Sequence, residues 1–142
     1  MSEVRRAAPS DAEGCAQILN DWIDSTAWMT RIHTAQDVVR HYKETVFPER
    51  EVWVVEDPPR AFMALDPAHF VTALYSAVPG AGLGHRLLDH AKCLRAELRL
   101  WTFVANTRAQ SFYLREGFSE VARTEGDNEE GLPDIRYEWR RP

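Results

Sequence analysis

Cysteine is scarce in this chain: Cys15 and Cys93 are the two among 142 residues, far apart and without the paired spacing of a metal or redox motif. That excludes a disulfide framework and a cysteine-based metal site. Both fall in helix-period segments, which predicts buried or half-buried thiols in a reducing compartment. Long hydrophobic runs are missing as well. Nothing approaches the roughly 20 apolar residues of a membrane span, and the opening Met-Ser-Glu-Val-Arg-Arg has no apolar signal core. A cytoplasmic protein with no membrane partner is the expectation. Clustered positive charge is also absent: 17 Lys and Arg stand against 22 Asp and Glu, a net charge of -5. The paired basics, Arg5-Arg6 and Arg140-Arg141, lie near the ends. An extended nucleic-acid surface needs clustered Lys and Arg to neutralise several phosphates, so nucleic acid is excluded as a partner. No repeat, low-complexity tract or linker interrupts residues 1–142, and one domain is expected.

What is present is ordinary in bulk, 44% hydrophobic and 27% charged, and unusual in one place. The stretch Tyr75 to Lys92 reads Tyr-Ser-Ala-Val-Pro-Gly-Ala-Gly-Leu-Gly-His-Arg-Leu-Leu-Asp-His-Ala-Lys. An apolar run from Phe70 to Tyr75 enters a turn holding Pro79, Gly80, Gly82 and Gly84, and leaves it with Leu87, Leu88, Ala91 and Leu94 at helical spacing. Strand, glycine loop, helix is the reading. A helix start has backbone N–H groups without partners and partial positive charge, and glycine lets an anion come close, so the ligand predicted for this stretch is a phosphate or pyrophosphate. Lys-Ser or Lys-Thr does not follow the glycines, which excludes a P-loop. The Gly-x-Gly-x-Gly spacing is not that of a dinucleotide fold.

In chain order, Val4 to Ala8 is a candidate strand, and Ser10 with Glu13 forms a capping box for a helix carrying Cys15, Ile18, Leu19, Trp22 and Ile23. Ser25 to Thr34, with Trp28, Met29, Arg31 and His33, lacks a period and reads as a loop or broken helix. A second helix spans Ala35 to Phe47, stopped by Pro48. Glu51 to Glu56 and Ala61 to Leu65 form a hairpin about Asp57-Pro58-Pro59-Arg60. After the central helix, Leu98 to Val104 is a strand that a crossover would make parallel to Phe70–Tyr75. Asn106 caps a helix bearing Ala109, Phe112 and Tyr113 and ended by Gly117. Phe118 to Thr124 and Ile135 to Trp139 close the chain, joined by a link holding Glu125, Asp127, Glu129 and Glu130.

Two blocks in this order, Leu74-Tyr75 through the glycine turn to Leu87-Leu88, and Asn-Thr-Arg-Ala-Gln-Ser-Phe-Tyr-Leu-Arg-Glu-Gly-Phe from Asn106 to Phe118, give the chain a resemblance to the GNAT superfamily of acyl-CoA-dependent N-acetyltransferases. One departure stands out: Pro79 occupies the place where the family usually has Gln or Arg. The resemblance implies an α/β (α+β) domain with a central mixed, mostly antiparallel sheet of about seven strands, one splayed parallel pair and about four helices on both faces. It implies acetyl-CoA as co-substrate and transfer of the acetyl group to a primary amine of a small molecule or a peptide. A homodimer is a candidate assembly.

By the same resemblance, Ser76, Ala77 and Val78 would meet the pantetheine. Gly80, Gly82, Leu83, Gly84 and His85 would hold the pyrophosphate, and Asn106 and Phe112 the pantetheine arm. Tyr113 matches the tyrosine that protonates the departing thiolate. The acceptor is expected at Trp28, Arg31, His33, Trp101 and Glu129, where acidic and aromatic groups together suit a cationic amine. Asp66, His69, Glu129 and Glu130 are alternative bases, and no metal is expected. Two other readings stand beside this one. A non-catalytic acyl-CoA sensor or carrier of the same fold would bind without turnover. A flavodoxin-like nucleotide binder would need a mostly parallel sheet, which the hairpin and the final strand pair argue against.

Overall fold

The computed structural model describes residues 3–142; Met1 and Ser2, part of the polar start read above, lie outside the described residues. The chain runs β1 (Val4–Arg6), a 3-10 turn (Pro9–Asp11), α1 (Ala12–Ser25) and α2 (Ala35–His41), which passes through a π-helical turn (Tyr42–Val46) into α3 (Phe47–Glu49). There follow β2 (Glu51–Val55), β3 (Ala61–Leu65), β4 (Val71–Ser76), α4 (Leu83–Leu94), β5 (Glu97–Phe103), α5 (Thr107–Arg115), β6 (Ser119–Thr124) and β7 (Asp134–Arg140). Seven strands in a mixed α+β domain agree with expectation.

The single mixed sheet does not. The strands form two antiparallel sheets, β1-β2-β3-β4 and β5-β7-β6. β4 and β5 meet at one parallel bridge, Phe70 to Arg99, where Arg99 N–H donates to the His69 carbonyl at 2.9 Å. Past that bridge the rings of Tyr75 and Phe103 and the Leu74 side chain line a cleft between the strands.

Alternation along β3 explains the layers. Phe62 and Ala64 join Cys15, Ala16, Ile18, Val38, Tyr42 and Val46 in a core under α1 and α2. Ala61, Met63 and Leu65 join Leu87, Leu88 and Ala91 of α4 and Tyr113 of α5 in the core on the other face. Every residue of β3 is buried, as a central strand sandwiched between helical layers must be.

Two local expectations are corrected. Ser10 and Glu13 do not cap α1. Asp11, 5% exposed, accepts from Ala8 N–H at 2.8 Å and from both terminal nitrogens of Arg5 at 2.8 and 3.1 Å, while Glu13 pairs with Lys43 across to the next helix. An arginine fork on β1 outcompetes a hydroxyl for the entry to the helix. Pro48 does not stop the second helix at Phe47 either. The π-helical turn, with Phe47 N–H donating to the Tyr42 carbonyl, resets the hydrogen bonding so that Pro48 sits in the first turn of α3, where its missing N–H costs nothing. Among the described residues no helix is long and apolar enough to cross a membrane.

Candidate active site

The glycine loop folds as an anion cradle. Ser76 Oγ accepts from Val78 N–H at 3.1 Å and so turns the chain out of β4. Gly80 and Gly82 take φ of 86° and 78°, where an L side chain is costly. Arg86 N–H donates to the Gly82 carbonyl at 3.2 Å as the first bond of α4. The N–H groups of Leu83, Gly84 and His85 ahead of it meet no protein acceptor among the described residues. Unpaired amides and the positive end of a 12-residue helix together favour a bound anion. Arg108, the second residue of α5, reaches the same place: a Cβ built on Gly80 would lie 3.8 Å from its Nη2. Arg108 joins no ion pair among the described residues.

From this loop a cleft of about 720 Å³ runs between β4 and β5, within the usual range for small-ligand sites. Backbone amides point into it. Ala77 N–H bonds to the Arg60 carbonyl on the β3 side, so by the two-residue alternation of a strand the N–H groups of Leu74 and Ser76 face β5. Likewise Arg99 N–H faces β4, and therefore so do those of Trp101 and Phe103. Asn106 Oδ1 caps α5 by accepting from Ala109 N–H at 3.1 Å, as its sequence context predicted. Phe112 packs close to Gly84, where an added Cβ would meet its ring at 3.4 Å, which holds α5 against the start of α4.

Tyr113 lies on the cleft wall, 8% exposed, among Phe112, Phe118 and Tyr137. Burial, with a lesser contribution from nearby Tyr75, pushes its phenol well above the ordinary value, so the hydroxyl keeps its proton throughout the neutral and mildly alkaline range. Tyr75 is pushed up to about 12 by burial and then by the charge of Glu130. Two neutral phenols therefore face the cleft.

A second cavity, about 410 Å³, shares Trp101, Thr102 and Phe103 with the first and continues to Asp127, Glu130 and Asp134. Its loop is braced from inside: Thr124 and Asn128 donate to the buried Asp134 carboxylate, and Asn128 also bonds the Leu132 carbonyl at 2.7 Å and Leu132 N–H at 3.2 Å. His33 and Glu129 meet in a side-chain contact that ties this loop to the segment after α1.

No family model matches the chain. Peptidyl-lysine N-acetyltransferase YjaB of Salmonella typhimurium is 29% identical over 134 residues, covering 90% of this chain and 90% of that protein. YjaB of Escherichia coli K12 is 34% identical over 98 residues, 66% of this chain and 63% of that protein. The solution structure of apo YjaB from Escherichia coli superimposes with a TM-score of 0.80 at 24% identity, over 100% of this chain and 99% of that one. A GNAT family acetyltransferase from Bacillus cereus gives 0.75 at 19% identity, over 100% and 99% of the two chains. The yncA protein of Salmonella typhimurium, solved with its cofactor acetyl-CoA, gives 0.74 at 17%, over 99% and 94%. The chain has the fold of the GNAT acetyltransferases.

Within this fold, the residues expected at the cofactor fall together. Ser76, Val78, Gly80, Gly82, Leu83, Gly84, His85, Asn106 and Phe112 line the large cleft with Tyr113. Ala77 does not line it; its N–H is turned to Arg60. Trp101, 43% exposed, lines both cavities. Trp28 stands behind the wall, edge-on to Trp22 and Phe103 at 5.7 and 5.8 Å.

Arg31 is engaged by Asp24, Asn20 and the His33 carbonyl, a clamp on the end of α1 away from the cleft lining. His33 and Glu129 touch each other and line neither cavity. Of the alternative bases, Asp66 accepts from Ala68 N–H and Phe70 N–H, and His69 faces Arg95, both at the closed end of the strands. Glu130 is the one that lines a cavity.

His85 carries more than its backbone. Its Nδ1 lies 2.8 Å from Glu116 and its Nε2 3.1 Å from Asp89, with Lys92 Nζ 3.7 Å from Glu116. His85, Asp89 and Glu116 are the grouping among the described residues close enough to hold a metal ion. The adjacent ammonium of Lys92 opposes a cation there, and the histidine instead ties α4 to α5. Arg108, Tyr75 and Asp127 were not singled out from sequence. Arg108 had a signal, a lone cation in the first turn of the helix capped by Asn106; the other two acquire their positions from tertiary contacts.

Proposed function

We propose that the chain transfers the acetyl group of acetyl-CoA to a primary amine, with the lysine side chain of a peptide as acceptor. The observation that carries the reading is the open cleft between β4 and β5, with unpaired amides at its loop end and a buried phenol on its wall. Two relatives named peptidyl-lysine N-acetyltransferase and a structural neighbour solved with acetyl-CoA support it. The cytoplasm, which supplies acetyl-CoA and keeps Cys15 and Cys93 reduced, is the compartment this reading requires.

Acetyl-CoA, when bound, supplies an activated acyl thioester. The amides of Leu83, Gly84 and His85 and the guanidinium of Arg108 would hold its pyrophosphate, and the inward amides of Trp101 and Phe103 its pantetheine arm. Leu74 N–H, pointing from β4 into the gap, is placed to donate to the thioester oxygen as negative charge develops there. Glu130 takes the proton from the acceptor ammonium, directly or through water, which frees the nitrogen lone pair for attack. Tyr113 Oη donates a proton toward the sulfur as the C–N bond forms and the C–S bond breaks, and the phenolate left behind recovers, directly or through water, the second proton that the new amide nitrogen sheds. A phenol held neutral by burial suits this work, because the same dry wall also raises the proton affinity of a departing thiolate.

Release of free thiol from acetyl-CoA in the presence of a lysine peptide tests the reaction. Calorimetric binding of acetyl-CoA with no thiol released and no acetyl-lysine by mass spectrometry would replace the enzyme by a sensor of the same fold. For the proton donor, Tyr113→Phe should lower kcat by about a hundredfold and leave acetyl-CoA affinity within about twofold. Because the Tyr113 pKa is raised, the wild-type kcat should also show no loss from phenol ionisation between about pH 8 and about pH 10. Equal kcat in the two proteins overturns the donor role.

A further inference from the structure

Two of the acidic groups in or beside the second cavity already have partners. Asp134 is buried and engaged by Thr124 and Asn128, and Glu129 meets His33. Asp127 and Glu130 differ: among the described residues neither side chain enters an ion pair or a hydrogen bond, and both line the cavity. Asp127 is exposed at its mouth and Glu130 is half-buried within. Trp101, 43% exposed, meets no other ring among the described residues, and with Thr102 it lines both cavities. An exposed indole and two free carboxylates in one concavity describe a site for a cationic chain.

Resting on the acceptor reading given above, we infer that Asp127 is a specificity-determining residue that selects lysines with a second positive charge next to them. The two carboxylates divide the work. Glu130 adjoins the reacting strand end and loses its charge when it takes the ammonium proton, so it cannot hold a cation through the reaction. Asp127, farther out, stays ionised and meets a group that does not react. A neighbouring Arg or Lys side chain lies within reach of the mouth while the target amine enters past Trp101, whereas a neighbouring Glu meets like charge on an already acidic loop. Rim charges of this kind discriminate between partners more than they add raw affinity.

The test compares three capped peptides, Gly-Lys-Gly, Arg-Lys-Gly and Glu-Lys-Gly, by kcat/KM from thiol release and by mass of the acetylated product. Wild type should rank Arg-flanked above Gly-flanked above Glu-flanked, with about fivefold between neighbours at low salt and less at high salt. Asp127→Asn should compress the ratio between the Arg- and Glu-flanked peptides toward one. Asp127→Lys should invert it, an outcome that a misfolded variant cannot produce. No thiol release with any peptide would overturn the acetyltransferase reading itself. Equal kcat/KM on all three peptides, or a preference unchanged in Asp127→Lys, would overturn this inference and leave that reading standing.

Discussion

Arg108 shows how one side chain acquires meaning from its neighbours. In the linear chain it is a cation in the first turn of a helix, an unfavourable place beside the positive end of the helix dipole. In the folded protein it stands beside Gly80 with no anionic partner among the described residues, near amides that find no acceptor among them either. That arrangement is stable only because solvent screens it, and a bound pyrophosphate would relieve it. Arg108→Ala should therefore raise the Kd for acetyl-CoA about tenfold and weaken its salt dependence. Acetyl-pantetheine, which lacks the pyrophosphate, should bind both proteins alike. Titration calorimetry with the two ligands checks this, and an equal loss for both would move Arg108 away from the phosphate. At the same scale, Tyr113 and Asn106 were legible because each has a local signature, a phenol in a compound motif and a cap before a helix. Arg31 and His33 were misjudged because their partners, Asp24 and Glu129, cannot be read from spacing.

Elements were legible where a periodic apolar pattern met a clear stop, as for α4 after the glycine loop and α5 before Gly117, whose φ of 91° confirms the left-handed end expected of it. The helix after Ala35 was harder: a π-helical turn is not encoded in apolar period, and it carried the segment past Pro48 to Glu49. The loop between β6 and β7 read as four acids with two glycines, with no hint of its inner bracing. Gly126 is central to that loop. Its φ is 116°, and a Cβ there would lie 2.7 Å from the Gly131 carbonyl oxygen, so backbone would have to move. Gly126→Ala should cost about 2 kcal/mol of stability and raise the KM for a lysine peptide by about tenfold. Acetyl-CoA affinity should be unaffected, since the loop contributes nothing to the large cleft's lining. A matched rise in both constants would mean that the two cavities are mechanically one.

For the molecule as a whole, the tie between its first strand and first helix sets a pH dependence. The Arg5 hydrogen bond, with a lesser contribution from Ala8 N–H, holds the Asp11 carboxyl below its ordinary value of 3.8. A folded-state pKa below the unfolded one means that this stabilisation is complete above about pH 4 and is lost as pH falls through the folded value. Asp11→Asn should cost about 1 kcal/mol at neutral pH, Arg5 being partly solvated. The gap between variant and wild type in chemical denaturation should close below about pH 4. A gap that does not narrow at all as pH falls below about 4 would assign the loss to packing rather than to charge. The two cores are a matter of the whole molecule too. β3 divides them by alternation alone, its residues on both faces being buried.

The sequence by itself determined the order of the elements, the helix caps at Asn106 and Gly117, the strand, glycine turn and helix around Tyr75 to Lys92, and the resemblance to GNAT acetyltransferases. All of these rest on residues near one another in the chain, where backbone preference and side-chain chemistry act within a few positions. Tertiary structure decided that the strands form two sheets with a cleft between them, that Arg108 meets Gly80, and that Glu130 rather than Asp66, His69 or Glu129 lines the second cavity. Those outcomes depend on how packed surfaces orient distant segments, and no local propensity carries that information.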